Sequence, residues 1–170
     1  MLNPTVKLRP LSAPEEFGEM LASWEQVRAR TPDWPHLAEA AALAGRYEQA
    51  LQGNTLVHTD ARDDNFLLGP DRTVLCDWNW PALGPAWVDS VLLLISAFGD
   101  GLDADAVLAE RTLTRDADPE RVDILLALGC GYFLHHRHDP PRTASPYIRV
   151  HQAWYADAAW AWLSRRRGWT

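Results

Sequence analysis

Apolar residues recur at two different periods along this chain, and the change of period divides it. Phe17, Met20, Leu21, Trp24 and Val27 fall three or four residues apart, the spacing of one helix face. A helix is therefore predicted from about 13 to 30. Ser12 and Glu15 stand at the two positions of a capping box at its start. Prolines at 32 and 35 end it. A second helix is predicted over about 35–52, with Leu37, Ala41, Ala44, Tyr47 and Leu51 on one face and Gly53-Asn54 as its stop. Residues 1–11, extended and proline-bearing, read as a connector.

The middle changes character. Residues 55–58, 65–68 and 73–76 are short strand-like runs separated by a polar loop and by the turn Gly69-Pro70-Asp71. Helical spacing then returns over about 86–98, 103–114, 119–136 and 146–167. Asp103 and Asp118 stand at N-cap positions, and Gly168 follows the last helix. The pattern predicts one domain of α+β class, mainly helical, with a small β patch that gathers the polar residues.

Composition narrows the partners. Sixteen basic against 23 acidic residues leave a net charge of −7, which argues against nucleic acid as the main partner. The same sign suits a cationic small molecule, though it is also common in soluble proteins. Cys76 and Cys130 have no paired spacing and read as reduced thiols. No N-terminal leader pattern is visible. The longest apolar run, 91–98, is too short to cross a bilayer, so a cytoplasmic location without membrane contact is expected.

The chemistry concentrates in His58-Thr59-Asp60-Ala61-Arg62-Asp63-Asp64-Asn65, an H-x-D-x-x-x-x-N pattern lying between two strands. Asp77 ends the next strand, twelve residues after Asn65. Phosphoryl transfer needs a carboxylate to orient or deprotonate an accepting hydroxyl, and oxygen ligands to hold Mg²⁺ against a triphosphate. Neighbouring strands can bring Asp60, Asn65 and Asp77 to one rim. Hard oxygen donors there suit Mg²⁺ rather than zinc. The alternative for these three is a set of turn-forming residues, which are common between strands.

This order of motifs resembles the catalytic loop and metal-binding Asp of the protein-kinase superfamily. Asp77-Trp78, in place of Asp-Phe-Gly, is similar to the aminoglycoside phosphotransferase and choline kinase branch. So are Gly84-Pro85-Ala86-Trp87-Val88-Asp89 at a helix start and the final helix over 150–167. The resemblance runs from about residue 10 to 167 and implies the C-terminal lobe of a protein-kinase-like fold. It implies Asp60 as catalytic base, Arg62 at the transferred phosphate, and Asn65 and Asp77 as Mg²⁺ ligands. Leu67 would form the floor under the adenine of ATP, and Cys76 would stand beneath its phosphates. His58 and Asp89 would support the loop.

Two positions depart from the branch: Thr59 stands where Gly is usual, and Asn79 where Gly, Asp or Glu often follows Asp-Trp. The glycine-rich loop and Lys–Glu pair of a complete kinase are not among these residues. That fits a fragment, a truncated frame, or an N-terminal lobe on another chain.

The implied activity is ATP-dependent phosphorylation of a hydroxyl on a small acceptor. The alternative is a non-catalytic binding or regulatory module, or a remnant. No ATP turnover is expected of residues 1–170 alone, and an apolar patch beside Asp77 is expected to favour self-association or a partner chain. Residues 81–87 and 140–147 are the expected acceptor-selecting segments. Trp24, Trp87 and Trp154 are expected in the core, and Trp78 and Trp80, which flank Asp77, as packing residues, with lining of a substrate cleft as the alternative. Asp63 and Asp64 read as solvated loop charges. His135, His136 and His138 read as structural or surface residues, and Arg165–Arg167 as a charged helix end.

Overall fold

A computed structural model describes residues 10–139 and 147–169. Ser12 opens the first helix. Its hydroxyl accepts from the Glu15 amide at 3.4 Å, and the Glu15 carboxylate accepts from the Ser12 amide at 2.8 Å. This reciprocal cap satisfies donors that a helix start leaves open. Helix α1 runs Ala13–Leu21 and α2 runs Ser23–Arg30. The single helix expected over 13–30 is thus two, because the ladder tightens where the Ala22 carbonyl accepts from the Glu25 amide.

The second expected helix is also divided. His36 is left-handed at φ 59, so α3 starts only at Leu37 and ends at Ala44. After Gly45, a poor helix former, one turn remains as α4, Tyr47–Ala50, closed at Leu51. Gly53-Asn54 is therefore not its stop. A β-carbon at Gly53 would lie 2.1 Å from the Gly84 carbonyl carbon, so this glycine allows two backbones to touch.

Strands β2 (Thr55–Val57), β3 (Phe66–Leu68) and β4 (Thr73–Leu75) fall inside the expected runs, each one residue shorter. Two further strands were hidden in the sequence: β1, Leu11–Ser12, where the expected connector meets the helix cap, and β5, Ala82–Gly84. Strand β5 is the centre of a three-stranded sheet, parallel to β1 and antiparallel to β2 with Leu56 opposite Leu83. Strands β3 and β4 pair separately, Leu67 opposite Val74. Elements of two or three residues are too short to show alternation. Most of the connector, residues 1–9, lies outside the described residues.

Four helices follow: α5 (Val88–Gly99), α6 (Ala104–Glu110), α7 (Pro119–His136) and α8 (Ile148–Arg167). Helix α6 ends four residues earlier than expected, where Thr114 turns back and its hydroxyl donates to the Leu108 carbonyl at 2.6 Å. Helix α7 is buried almost all round from Val122 to Gly131, the mark of a central helix. It packs against α8, α3, α2, α1 and α4. A β-carbon at Gly131 would lie 2.5 Å from Trp24 Nε1. The indole thus fits only against glycine, and it donates to the Ala127 carbonyl at 3.2 Å.

Trp24, Trp87 and Trp162 are core residues; Trp154 and Trp160 pack partly against them. Trp78 and Trp80 correct the packing expectation, being 47% and 58% exposed. Arg165–Arg167 are more than a charged end: they bind Asp103 and Asp105 at the start of α6, and Glu120 and Asp123 on α7. The chain is a mainly helical α+β protein. Among the described residues no helix is long and apolar enough to cross a membrane.

Candidate functional site

The segment leaving β2 turns sharply at Thr59, whose φ is +67. A β-branched residue is costly in that left-handed region, so the turn needs outside support. The Asp89 carboxylate, in the first turn of α5, accepts from the His58 amide at 2.8 Å and the Thr59 amide at 2.9 Å. The Thr59 hydroxyl donates to the Trp80 carbonyl at 2.6 Å. Asp89 itself is half-buried rather than buried.

His58 is fully buried. Its Nε2 lies 2.8 Å from the Cys76 carbonyl and must donate to it, which leaves Nδ1 to accept from the Asp60 amide at 3.3 Å. The ring thereby ties the end of β2 to the end of β4. Asn65, also buried, closes the loop from the other side. Its Nδ2 donates to the Asp60 carbonyl at 2.8 Å and to the Asp60 carboxylate at 3.3 Å. The Cys76 amide and thiol donate to the Asn65 carbonyl at 2.9 and 3.1 Å. Next along the chain stands Asp77, exposed, with φ +64 and its carboxylate accepting from the Asn79 side-chain amide.

Asp60 and Arg62 look into a cleft of about 430 Å³ between the loop and helices α1, α2, α5, α7 and α8. Asn65, Cys76, Asp77 and Leu67 are not among its walls. Leu67 is 60% exposed on β3, and the Cys76 thiol faces the Asn65 backbone. The loop thus carries two of the expected residues on its cleft side, with the rest stitched behind them or open to solvent. Arg62 Nε lies 2.9 Å from Asp60 Oδ1, in contact but off the hydrogen-bond line. Its other end is 3.5 Å from Asp64.

Burial pushes the Asp60 carboxyl above its ordinary value, against the pull of Arg62. A carboxylate so shifted is a better base near neutral pH. Burial, then the Asp60 charge, raise the Tyr132 hydroxyl across the cleft. On the α1 wall, burial and then the neighbouring Glu19 raise the Glu16 carboxyl. The Asn65 side chain gives its nitrogen to Asp60, which leaves the amide oxygen to take a cation. That oxygen and the exposed Asp77 carboxylate are hard donors that could hold a cation. Both nitrogens of the adjacent His58 are engaged, so the donors left there are oxygens, the kind Mg²⁺ takes.

Several cleft residues carry no signature in the sequence. Glu16, Glu19 and Tyr132 read only as helix positions, and His136 as a structural or surface residue. Asp63, expected to be solvated, accepts from the Tyr155 hydroxyl at 2.7 Å and lies 3.7 Å from His151 Nε2. The i,i+4 spacing of His151 and Tyr155 is a signal that could have placed the two on one face of α8. Of the expected acceptor-selecting segments, 81–87 contains β5, and 140–146 lies outside the described residues. No protein-family model, curated protein or solved structure matches this chain.

Proposed function

We propose that this chain is the C-terminal lobe of an ATP-dependent O-phosphotransferase, of the aminoglycoside phosphotransferase and choline kinase type. One observation carries the reading. A half-buried carboxylate of raised basicity, Asp60, faces a cleft of about 430 Å³, while the loop that bears it is bonded through Asn65 to the residue preceding Asp77. In this reading Asp60 takes the proton of the accepting hydroxyl. Arg62 swings from Asp60 to the transferred phosphate, and Asn65 and Asp77 hold Mg²⁺. Leu67 and Cys76 lie under the nucleotide, and His58 and Asp89 keep the loop in register. Mg-ATP, when bound, supplies the γ-phosphoryl group.

The acceptor is a small hydroxylated molecule. Glu16 and Glu19, facing Asp60 among apolar walls, favour one that also carries an amine. The exposed Leu67 and Val74 offer an apolar surface to a covering lobe or a second copy. One lobe supplies one side of a nucleotide site, so binding of Mg-ATP by residues 1–170 should be weak and turnover undetectable.

Mn²⁺, a paramagnetic stand-in for Mg²⁺, tests the site directly. Amide signals of Asn65 and Asp77 should broaden first in the NMR spectrum, and Asp77→Asn should remove the effect. Hydroxylated amines titrated into the same sample should shift the signals of Asp60 and Tyr132. Broadening centred on Asp63, Asp64 and His151 instead, with no response to any acceptor at Asp60, would sink the proposal.

A further inference from the structure

A second set of metal-competent side chains meets at the C-terminal end of α7. One nitrogen from each of His135 and His136 and one oxygen of Asp139 lie within 4.8 Å of one another. Neighbouring helical residues normally point about 100° apart. Here the two imidazoles are nevertheless in contact, with ring centroids 4.6 Å apart. His136 Nδ1 already lies 2.7 Å from Asp139 Oδ2.

The backbone beneath them is clamped. Arg30 donates to the His135 carbonyl at 2.9 Å, and Arg149 donates to the His136 carbonyl at 3.2 Å. Arg149 also lies 3.6 Å from Asp139 Oδ2, so the carboxylate is held from outside, as outer partners hold metal ligands. We infer that His135, His136 and Asp139 form a site for a divalent transition-metal ion of the Zn²⁺ or Ni²⁺ kind. Two imidazoles and one carboxylate select such borderline ions over Mg²⁺, and three protein ligands leave a coordination position open.

Donor atoms around a tetrahedral ion with bonds of about 2.0–2.1 Å stand roughly 3.3 Å apart. His135 must therefore close in by up to about 1.5 Å, turning from Arg30, whose guanidinium is 3.4 Å from its Nδ1. Two nearby guanidiniums repel a dication, so the affinity should be micromolar, well short of a structural zinc site. His136 is also a wall of the cleft that Asp60 faces. A bound ion would thus stand at the cleft rim with a position free for a donor atom of whatever occupies it. The inference is independent of the phosphotransfer reading.

Calorimetric titration of the full chain with Ni²⁺ and with Zn²⁺, and with Mg²⁺ as control, tests it. One transition-metal ion should bind with micromolar Kd. His136→Gln, which can still donate to Asp139, and Asp139→Asn should each weaken binding by at least about tenfold. His138→Ala removes the exposed imidazole of the same turn, and Asp63→Asn breaks the second acidic group beside His151; both should leave binding unchanged. Co²⁺ should give the visible absorption of a low-coordinate, nitrogen-ligated ion, lost in His136→Gln. Absence of saturable binding below millimolar metal overturns the inference. So does binding that survives His136→Gln and Asp139→Asn, or that disappears with His138→Ala or Asp63→Asn.

Discussion

At the end of α8, Arg165, Arg166 and Arg167 surround acids from α6 and α7; at the loop after β2, Asp60 has one arginine and a cleft. Burial pushes Asp105 up, but hydrogen bonds from Arg165, Trp162 and Arg166 outweigh it and hold the carboxyl below its ordinary value. Glu120 is held down by Arg46 and, against a little burial, by Arg167. For Asp60 the balance reverses, and burial wins over Arg62. The backbone follows the same division. Two of the three left-handed non-glycine residues among those described, Thr59 and Asp77, lie at the loop, and none lies in the arginine cluster. One region is arranged to be stable as charged; the other holds strain and a desolvated charge, which persist only where the surroundings enforce them. That contrast is the physical ground on which the proposed phosphotransfer site rests.

The largest effect should come from the stable side. Arg166 is well covered and binds Asp105, Asp123 and the Pro119 carbonyl. Asp123 is only 5% exposed. Arg166→Ala leaves that acid with Arg167 alone, and removing one partner of a buried ion pair costs about 3 kcal/mol. Thermal melts should fall by roughly 6–12 °C for a chain of this size, while the Mn²⁺ response at Asn65 stays. Acid should probe the same cluster. Asp105 and Glu120 titrate lower in the fold than in the unfolded chain, so their contribution is present above the ordinary values of 3.8 and 4.5 and lost as pH falls through the folded ones. The wild type should lose stability more steeply than Arg166→Ala over that descent. Equal slopes would mean the arginines lie on the surface without anchoring α8.

Next in size is the support of the loop. Asp89→Ala strips acceptors from the His58 and Thr59 amides, both belonging to buried residues. An unsatisfied buried amide costs about 1–3 kcal/mol, so a loss of about 2–3 kcal/mol is expected in denaturant melts. Asp89→Asn keeps one acceptor oxygen and should lose about half as much. An alanine variant that melts like the wild type would show that the turn at Thr59 does not depend on α5.

How much of this was legible follows from range. The capping box of α1, the bounds of α7 and the left-handed Gly168 after α8 rest on residues a few positions apart, and the sequence carried them in full. The H-x-D-x-x-x-x-N spacing likewise delivered the loop, with its His58, Asp60 and Asn65 contacts at separations of two to five residues. What was missed is non-local. Strand β5 exists because it pairs with β1 and β2, not because Ala82-Leu83-Gly84 favours a strand. The bond from Tyr155 to Asp63 spans 92 residues. The cleft walls come from helices α1, α2, α5, α7 and α8 and from the loop after β2 and Trp80. Trp78 and Trp80 flank Asp77 and were read as packing rather than cleft-lining residues, yet Trp80 lines the cleft and Trp78 sets its edge on His58 with centroids 4.7 Å apart.

A smaller effect tests the strain itself. Thr59 holds φ +67 although its hydroxyl is bonded to Trp80. Thr59→Ala keeps the strained backbone and loses that bond, which should cost about 1 kcal/mol. Thr59→Gly loses the same bond but is free to adopt a positive φ, so it should be the more stable of the two. Chemical denaturation decides the order. If alanine equals or exceeds glycine, the turn is not strained in solution, and one half of the contrast between the regions falls.

The smallest effect should fall at Asp60, and its sign carries the point. Asp60→Asn removes a desolvated charge while keeping an oxygen for the Asn65 amide, and Arg62 retains Asp64. Because burial raises this carboxyl, the folded protein binds its proton more tightly than the unfolded chain. Its favourable contribution is therefore fully present below the unfolded value and is lost as pH rises through the folded one. At neutral pH the wild type should sit on the unfavourable side of that change, and the amide variant should not. Melting temperatures of Asp60→Asn at pH 7 should equal or exceed those of the wild type, and the difference should close as pH is lowered. Any acceptor-dependent phosphate transfer should be lost in the same variant, since the proton of the accepting hydroxyl has no base to go to. A residue whose removal stabilises the fold while ending the chemistry is held there for function. A drop in stability of more than about 1 kcal/mol would instead make Asp60 a partner of Arg62, no different in kind from the acids around Arg166.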